Sequence, residues 1–149
     1  MPGSTRSSAF PDINVWLALT YDRHEHHVVA RRWLDTVDTG GRLFFCRLTQ
    51  LGLLRLLSSE PVMGRDEVMN QPAAWEAYDR WRSDDRVGFL DEPADLEAAL
   101  RALTRLRHPA PKDWADSYLA AFASAARLTV VTFDRALQGK CGGGVLLKA

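Results

Sequence analysis

Two aspartates, Asp116 and Asp134, flank the most patterned stretch of the chain, KDWADSYLAAFASAARLTVVTFDR over residues 112–135. Carboxylates brought together can ligate a hard divalent cation or divide general acid and base work. Residues 113–126 predict a helix: alanine-rich, free of Gly and Pro, and acidic in the first turn where the macrodipole favours negative charge. Ala115, Leu119, Phe122, Ala123 and Ala126 form an apolar stripe at three- and four-residue spacing. After the short connection Arg127-Leu128, residues 128–133 form a brief β-branched run that suits a buried strand. A helix of ~14 residues climbs roughly 20 Å and a strand of ~5–6 returns nearly as far, so Asp134 comes back to Asp116. Taken singly, Asp116 caps a helix and Asp134 opens a turn. The pair gains chemical meaning if a third acid reaches the same edge, and Asp12 near the chain start is the candidate.

Residues 8–13 predict a short strand with Asp12 near its carboxyl end, and a helix begins near Asn14. Pro11 cannot donate to a ladder, so this strand is brief or at an edge there. A helix over 26–37 carries Val29, Trp33 and Val37 on one face, and Thr39-Gly40-Gly41 turns the chain. A strand over 42–46 precedes an apolar helix over 48–57, and residues 60–70, broken by Pro61 and Gly64, read as a loop or loose helix. Trp75, Tyr78 and Trp81 recur on a helix over 71–84 as a core stripe, followed by a strand over 87–90 and a helix over 93–105. Pro109 and Pro111 shape the loop before the helix of Asp116. Residues 135–149 read as a tail holding a Gly142–Gly144 run and a last strand over 145–147. This alternation predicts one α/β domain over residues 1–149, an α/β/α sandwich around a mostly parallel sheet.

Composition bounds the rest. A chain of 149 residues, 46% hydrophobic and 26% charged, suits a soluble globular domain. Nineteen basic residues balance nineteen acidic ones, so no global basic field points to nucleic acid. Only Lys112, Lys140 and Lys148 are lysines, an arginine bias that GC-rich coding also produces. Cys46 and Cys141 read as free thiols in a reducing compartment, and no membrane span or apolar signal core is apparent, so a cytoplasmic location is expected. His24, His26 and His27 lack partners at zinc spacing and read as loop histidines, although one near the sheet edge could touch a phosphate. Trp16 reads as core, Arg55 as solvated or ion-paired, and the Gly142–Gly144 run lacks the lysine of a phosphate loop.

Ligands of such sheets bind at the carboxyl ends of the strands near a reversal of strand order. Asp12, Asp116 and Asp134 gathered there would repel one another, a penalty that Mg²⁺ or Mn²⁺ removes. A metal so held activates water and neutralises phosphoryl charge, which points to phosphodiester hydrolysis. A phosphatase or phosphoryl-transfer reaction would use similar ligands. Arg135, next to Asp134, is the candidate phosphate contact, with Lys112 and Asp113 bordering the same groove.

FPDINVWLAL, WADSYLAAFA and VVTFDRAL together resemble the PIN domain, specifically the VapC-type toxins of bacterial toxin–antitoxin pairs. The resemblance covers nearly the whole chain. It implies an α/β/α sandwich that cleaves RNA with Mg²⁺ or Mn²⁺ held by Asp12, Asp116 and Asp134, directly or through water. It further implies that Asn14 orders the site, that Thr132 hydrogen-bonds beside it, that the protein dimerises, and that a small antitoxin silences it by blocking the acidic groove. One departure stands out: domains of this type carry a glutamate in the helix after the second strand, where this chain reads LTQLGLLRLL with no acid. Gln50 or Gly52 takes that place. Gln50 offers a neutral oxygen, and Glu60 or Asp113 could substitute, so a weak, Mn²⁺-preferring or substrate-completed site is expected. A domain that binds RNA or protein without cutting is the alternative. A receiver-like phosphoacceptor fits least, because Asp91 and Lys140 are badly placed for it.

Overall fold

Residues 8–148 are described by a computed structural model; residues 1–7, part of the stretch read for a signal core, and Ala149 lie outside it. The elements run β1 (Ser8–Pro11), α1 (Ile13–Thr20), α2 (His27–Leu34), β2 (Arg42–Phe45), α3 (Arg47–Leu57), α4 (Glu60–Met63), α5 (Gln71–Arg82), β3 (Val87–Phe89), α6 (Leu96–Leu103), α7 (Asp113–Ala126), β4 (Thr129–Thr132), α8 (Arg135–Lys140) and β5 (Val145–Leu146). No helix among the described residues is long and apolar enough to cross a membrane.

The five strands form one sheet in the order β3-β2-β1-β4-β5, every neighbouring pair parallel. The chain therefore walks outward from β1 to β3, then returns to lay β4 on β1's other side. That reversal puts a crevice at the carboxyl ends of β1 and β4. Pro11 closes the central strand rather than an edge one. Pairing with β2 runs only through Ala9–Leu43, while pairing with β4 continues to Pro11–Val131, so the missing N–H falls where the β2 ladder has already ended.

Alternate residues of each strand face opposite layers. Ala9 and Val131 join α1 to α5 in one core, where Trp16 stacks on Phe45 with ring centroids 3.8 Å apart. Phe10 and Val130 join α6 to α8 in the other, where Phe10 stacks on Phe122 at 5.0 Å. This is the three-layer α/β/α sandwich with helices on both faces.

Several sequence expectations are corrected. The tail over 135–149 opens with a further helix, α8, because Asp134 caps it and Leu137 buries into the second core. Residues 60–70 do form a loose segment, the short α4 followed by turns, as their Pro61 and Gly64 imply. Of the aromatic stripe on α5, Tyr78 is buried, Trp81 is half-buried with its indole N–H donating to Thr20 Oγ1 at 2.8 Å, and Trp75 is exposed. Ala115 likewise faces outward on α7, whose buried face is carried by Ser117, Leu119, Ala120, Ala121, Phe122 and Ala123.

Candidate active site

Asp12 follows β1 directly and, with extended backbone, caps α1: its Oδ1 accepts the Val15 N–H at 2.9 Å. Its own N–H donates to Val131 O at 3.0 Å, so the sheet fixes its position. The other oxygen accepts the hydroxyl of Thr132, the fully buried last residue of β4. Thr132 Oγ1 in turn accepts the N–H of Asp134 at 2.9 Å. Asp134 caps α8 through Oδ1, which accepts the Ala136 N–H at 2.8 Å and the Leu137 N–H at 3.4 Å. A hydrogen-bonded chain thus joins Asp12, Thr132 and Asp134 across the central strand pair.

Asp116 enters from the first turn of α7 and accepts no side-chain or backbone hydrogen bond among the described residues. Burial pushes its carboxyl above the usual range, and the negative charges of Asp134 and Asp113 add to the rise against the pull of Lys140. Asp12 is also raised, first by burial; the hydrogen bonds from Thr132 and Val15 oppose the shift, and Asp134 adds to it. Asp134 is therefore the charge that both other acids feel.

The remaining candidates fall out unequally. Asn14 is exposed at the start of α1, and Arg135 is exposed at the start of α8. Gly52 cannot stand in for an acid: a Cβ there would meet Ile13 Cδ1 at 2.4 Å. Gln50 is 5% exposed, and its Oε1 accepts Arg47 Nη1 at 2.5 Å. Glu60 lies away on α4, paired with Arg65 at 3.9 Å. Asp113 does reach the acidic edge, but Lys140 ion-pairs with it and Ser117 donates to it at 3.0 Å, and the Lys140 contact holds its carboxyl below the usual range.

Two residues escaped the sequence reading. Lys140 was assigned to a tail, yet α8 delivers its ammonium to Asp113 beside Asp116. An Asp cap followed by good helix formers was the available signal. Arg47 had none, because its guanidinium is placed by a distant ring, Phe89, at 4.7 Å from the centroid. The histidines are more ordered than loop residues: His26 stacks on Phe133, between Thr132 and Asp134, at 4.8 Å, and His27 Nδ1 lies 2.7 Å from Ala18 O.

Among the described residues no three acidic, imidazole or thiol side chains close on one point as a fully direct metal cage would. The donor chemistry nevertheless fits a hard cation carrying water: the Asp12 and Asp116 carboxyls are each raised by burial and by the charge of Asp134, and Asp116 accepts no hydrogen bond among the described residues.

An aspartate–threonine–aspartate chain running from buried Asp12 and Thr132 out to exposed Asp134, at the switch point of a β3-β2-β1-β4-β5 sheet, defines a class, and comparison agrees: the chain belongs to the PIN domain family, whose model matches residues 9–142. It is 44% identical over 140 residues to Ribonuclease VapC41 of Mycobacterium tuberculosis, a match spanning 92% of this chain and 94% of that one. The crystal structure of Mycobacterium tuberculosis VapC20, a Sarcin-Ricin loop cleaving toxin, shares the fold with a TM-score of 0.63 at 19% identity, over 88% of this chain and 93% of that one. VapBC2 from Rickettsia felis, bound to a DNA fragment from its promoter, gives 0.66 at 13% identity, over 93% and 96%.

Proposed function

We propose that this protein is a metal-dependent endoribonuclease, the toxin of a toxin–antitoxin pair, acting in the cytoplasm as one domain over residues 1–149. The observation that carries the reading is the hydrogen-bonded chain Asp12–Thr132–Asp134, with Asp116 near enough to feel the charge of Asp134, in a chain 44% identical to a named ribonuclease. Asp12, Asp116 and Asp134 would hold Mg²⁺ or Mn²⁺, in part through water. When bound, such an ion supplies an acidified water and neutralises charge on the phosphoryl group. The chain's own residues set the stage. Val15 and Thr132 fix both oxygens of Asp12, Thr132 orients Asp134 through its N–H, and Asp116 keeps its oxygens free to face solvent and substrate. Arg135 and the His26 ring border the strand's path. Several structural relatives are toxin–antitoxin complexes, including VapBC-1 from nontypeable Haemophilus influenzae, which supports a small antitoxin as this chain's partner; the expected assemblies are a homodimer or a toxin–antitoxin hetero-oligomer.

The test is cleavage of single-stranded RNA by purified protein with Mg²⁺ or Mn²⁺. Activity should vanish in EDTA and fall on the order of a hundredfold in Asp116→Asn. Metal-independent cutting, or full activity in that variant, overturns the reading.

A second reading, an RNA- or protein-binding PIN domain with weak or absent chemistry, is favoured by one observation: Gln50, not an acid, is the polar residue at the head of α3. Under it, Gln50→Glu switches on metal-dependent cleavage that the wild type lacks.

A further inference from the structure

The head of α3 collects hydrogen-bond donors where the other elements of the edge collect acids. Phe45 ends β2, Cys46 turns the backbone, and α3 begins at Arg47, so Arg47 and Gln50 share one side of its first turn. β2 lies next to β1, and the bare Cα of Gly52 is packed on Ile13, the residue after Asp12. The head of α3 therefore stands one strand over from Asp12 on the same carboxyl edge, and the Arg47 guanidinium reaches outward over Phe89 at the end of β3.

Gln50 is 95% buried by its 5% exposure, and its Oε1 is taken by Arg47. Its Nε2 is then fixed on the far side of the amide and donates to no described residue. Arg47 is exposed, rests its guanidinium plane on Phe89 at 4.7 Å, and forms no ion pair with a described carboxylate. Stacking holds the donor fork in a set plane, which lowers the cost of using it. The first turn of α3 contains no acid to offset its positive end. Every free polar group here is a donor, a composition that repels a cation and suits an anionic oxygen.

We propose that Arg47 and Gln50 form a phosphate-positioning subsite, in which the guanidinium and the Gln50 amide N–H bind a non-bridging oxygen of an RNA backbone phosphate. It rests on the ribonuclease reading and fixes one phosphate of the strand beside the acids. Gln50 thereby acts as a positioning residue for the substrate rather than as a weakened metal ligand.

The experiment is fluorescence anisotropy of a labelled single-stranded RNA in EDTA across a salt series, paired with cleavage in Mn²⁺. Arg47→Ala should raise Kd about tenfold and flatten the log–log salt slope by roughly 0.7, the value of one lost phosphate contact. Arg47→Lys should recover the slope but only part of the affinity. Gln50→Glu, which ties up the guanidinium, should weaken RNA binding without tightening Mn²⁺. Arg55→Ala, an exposed residue in the last turn of α3, is the control and should match wild type. Arg47 and Gln50 variants with wild-type Kd and slope overturn the subsite. If the wild type still cuts RNA in that case, the ribonuclease reading survives alone. Arg47-dependent binding by a wild type that cuts nothing supports the subsite and overturns the cleavage reading. A wild type that binds no RNA overturns both.

Discussion

Thr132 gives its hydroxyl proton to Asp12 from the neighbouring strand and takes the Asp134 N–H on the same oxygen, so one buried side chain holds two acids that are far apart in sequence. Thr132→Val keeps the shape and removes both bonds. It should destabilise the fold by about 1–3 kcal/mol, the usual cost of stranding buried polar groups, as read from urea midpoints. RNA cleavage should fall at least about tenfold, and Thr132→Ser should recover most of both losses.

The charge of Asp116 is on balance unfavourable in the fold, burial and neighbouring acids outweighing the pull of Lys140. Asp116 accepts no hydrogen bond among the described residues, and its neighbours Asp134 and Asp113 oppose its charge. Asp116→Asn should therefore keep or raise Tm in metal-free buffer while cleavage falls on the order of a hundredfold. A marked fall in Tm would show that its carboxylate supports the fold.

The raised carboxyls also set a pH dependence. Folded Asp12 and Asp116 hold their protons above the ordinary value of 3.8, so unfolding releases protons and stability falls as pH rises from 3.8 through their folded values. Asp84 works the other way: Arg86 lowers it, and its stabilising effect is present above 3.8 and lost as pH falls through its folded value. His24, lowered by burial from 6.5, destabilises the fold as pH falls below that value. The clean comparison is wild type against Asp116→Asn in EDTA between roughly pH 4.5 and about pH 7, where the variant should lose less stability with rising pH.

Mn²⁺ at about a hundredfold its Kd should stabilise the folded chain by about 2.7 kcal/mol near neutrality, and the gain should shrink as pH falls and protons compete for the carboxyls. Thermal melts with and without EDTA measure it. Asp12→Asn should remove most of the metal-induced rise in Tm.

Gly52 packs so tightly on Ile13 that a single methyl has no room: its Cβ would lie 2.4 Å and 2.6 Å from two Ile13 carbons. Gly52→Ala should cost about 1–3 kcal/mol, and Ile13→Ala in the same chain should recover part of it, the mark of direct coupling. Ile13 adjoins Asp12, so the single variant should also depress cleavage.

The sequence displayed those parts of the molecule whose signals are local. The helix over 113–126 matches α7 because its stripe, first-turn acids and lack of Gly and Pro agree. The return of β4 toward the head of α7 followed from element lengths alone. Strand order did not, since nothing local tells β4 to pair with β1 rather than extend the sheet beyond β3. Period-three spacing on α5 could not say which aromatic faces outward, and Trp75 does. α8 was hidden by the glycines that follow it, and Lys140 with it. Arg47 is set by Phe89, and His26 by Phe133, through contacts that no window of sequence contains.

Because β1 sits in the middle of the sheet and the threonine that holds Asp12 lies 120 residues downstream of it, a nascent polypeptide on the ribosome carries half a site through all of that interval. Asp12 emerges early with no threonine to hold it, and nothing assembles until β4 clears the exit tunnel and slots in beside β1. Any chemistry that needs Asp12 and Asp134 held together therefore waits for β4, and a partly made chain is without it.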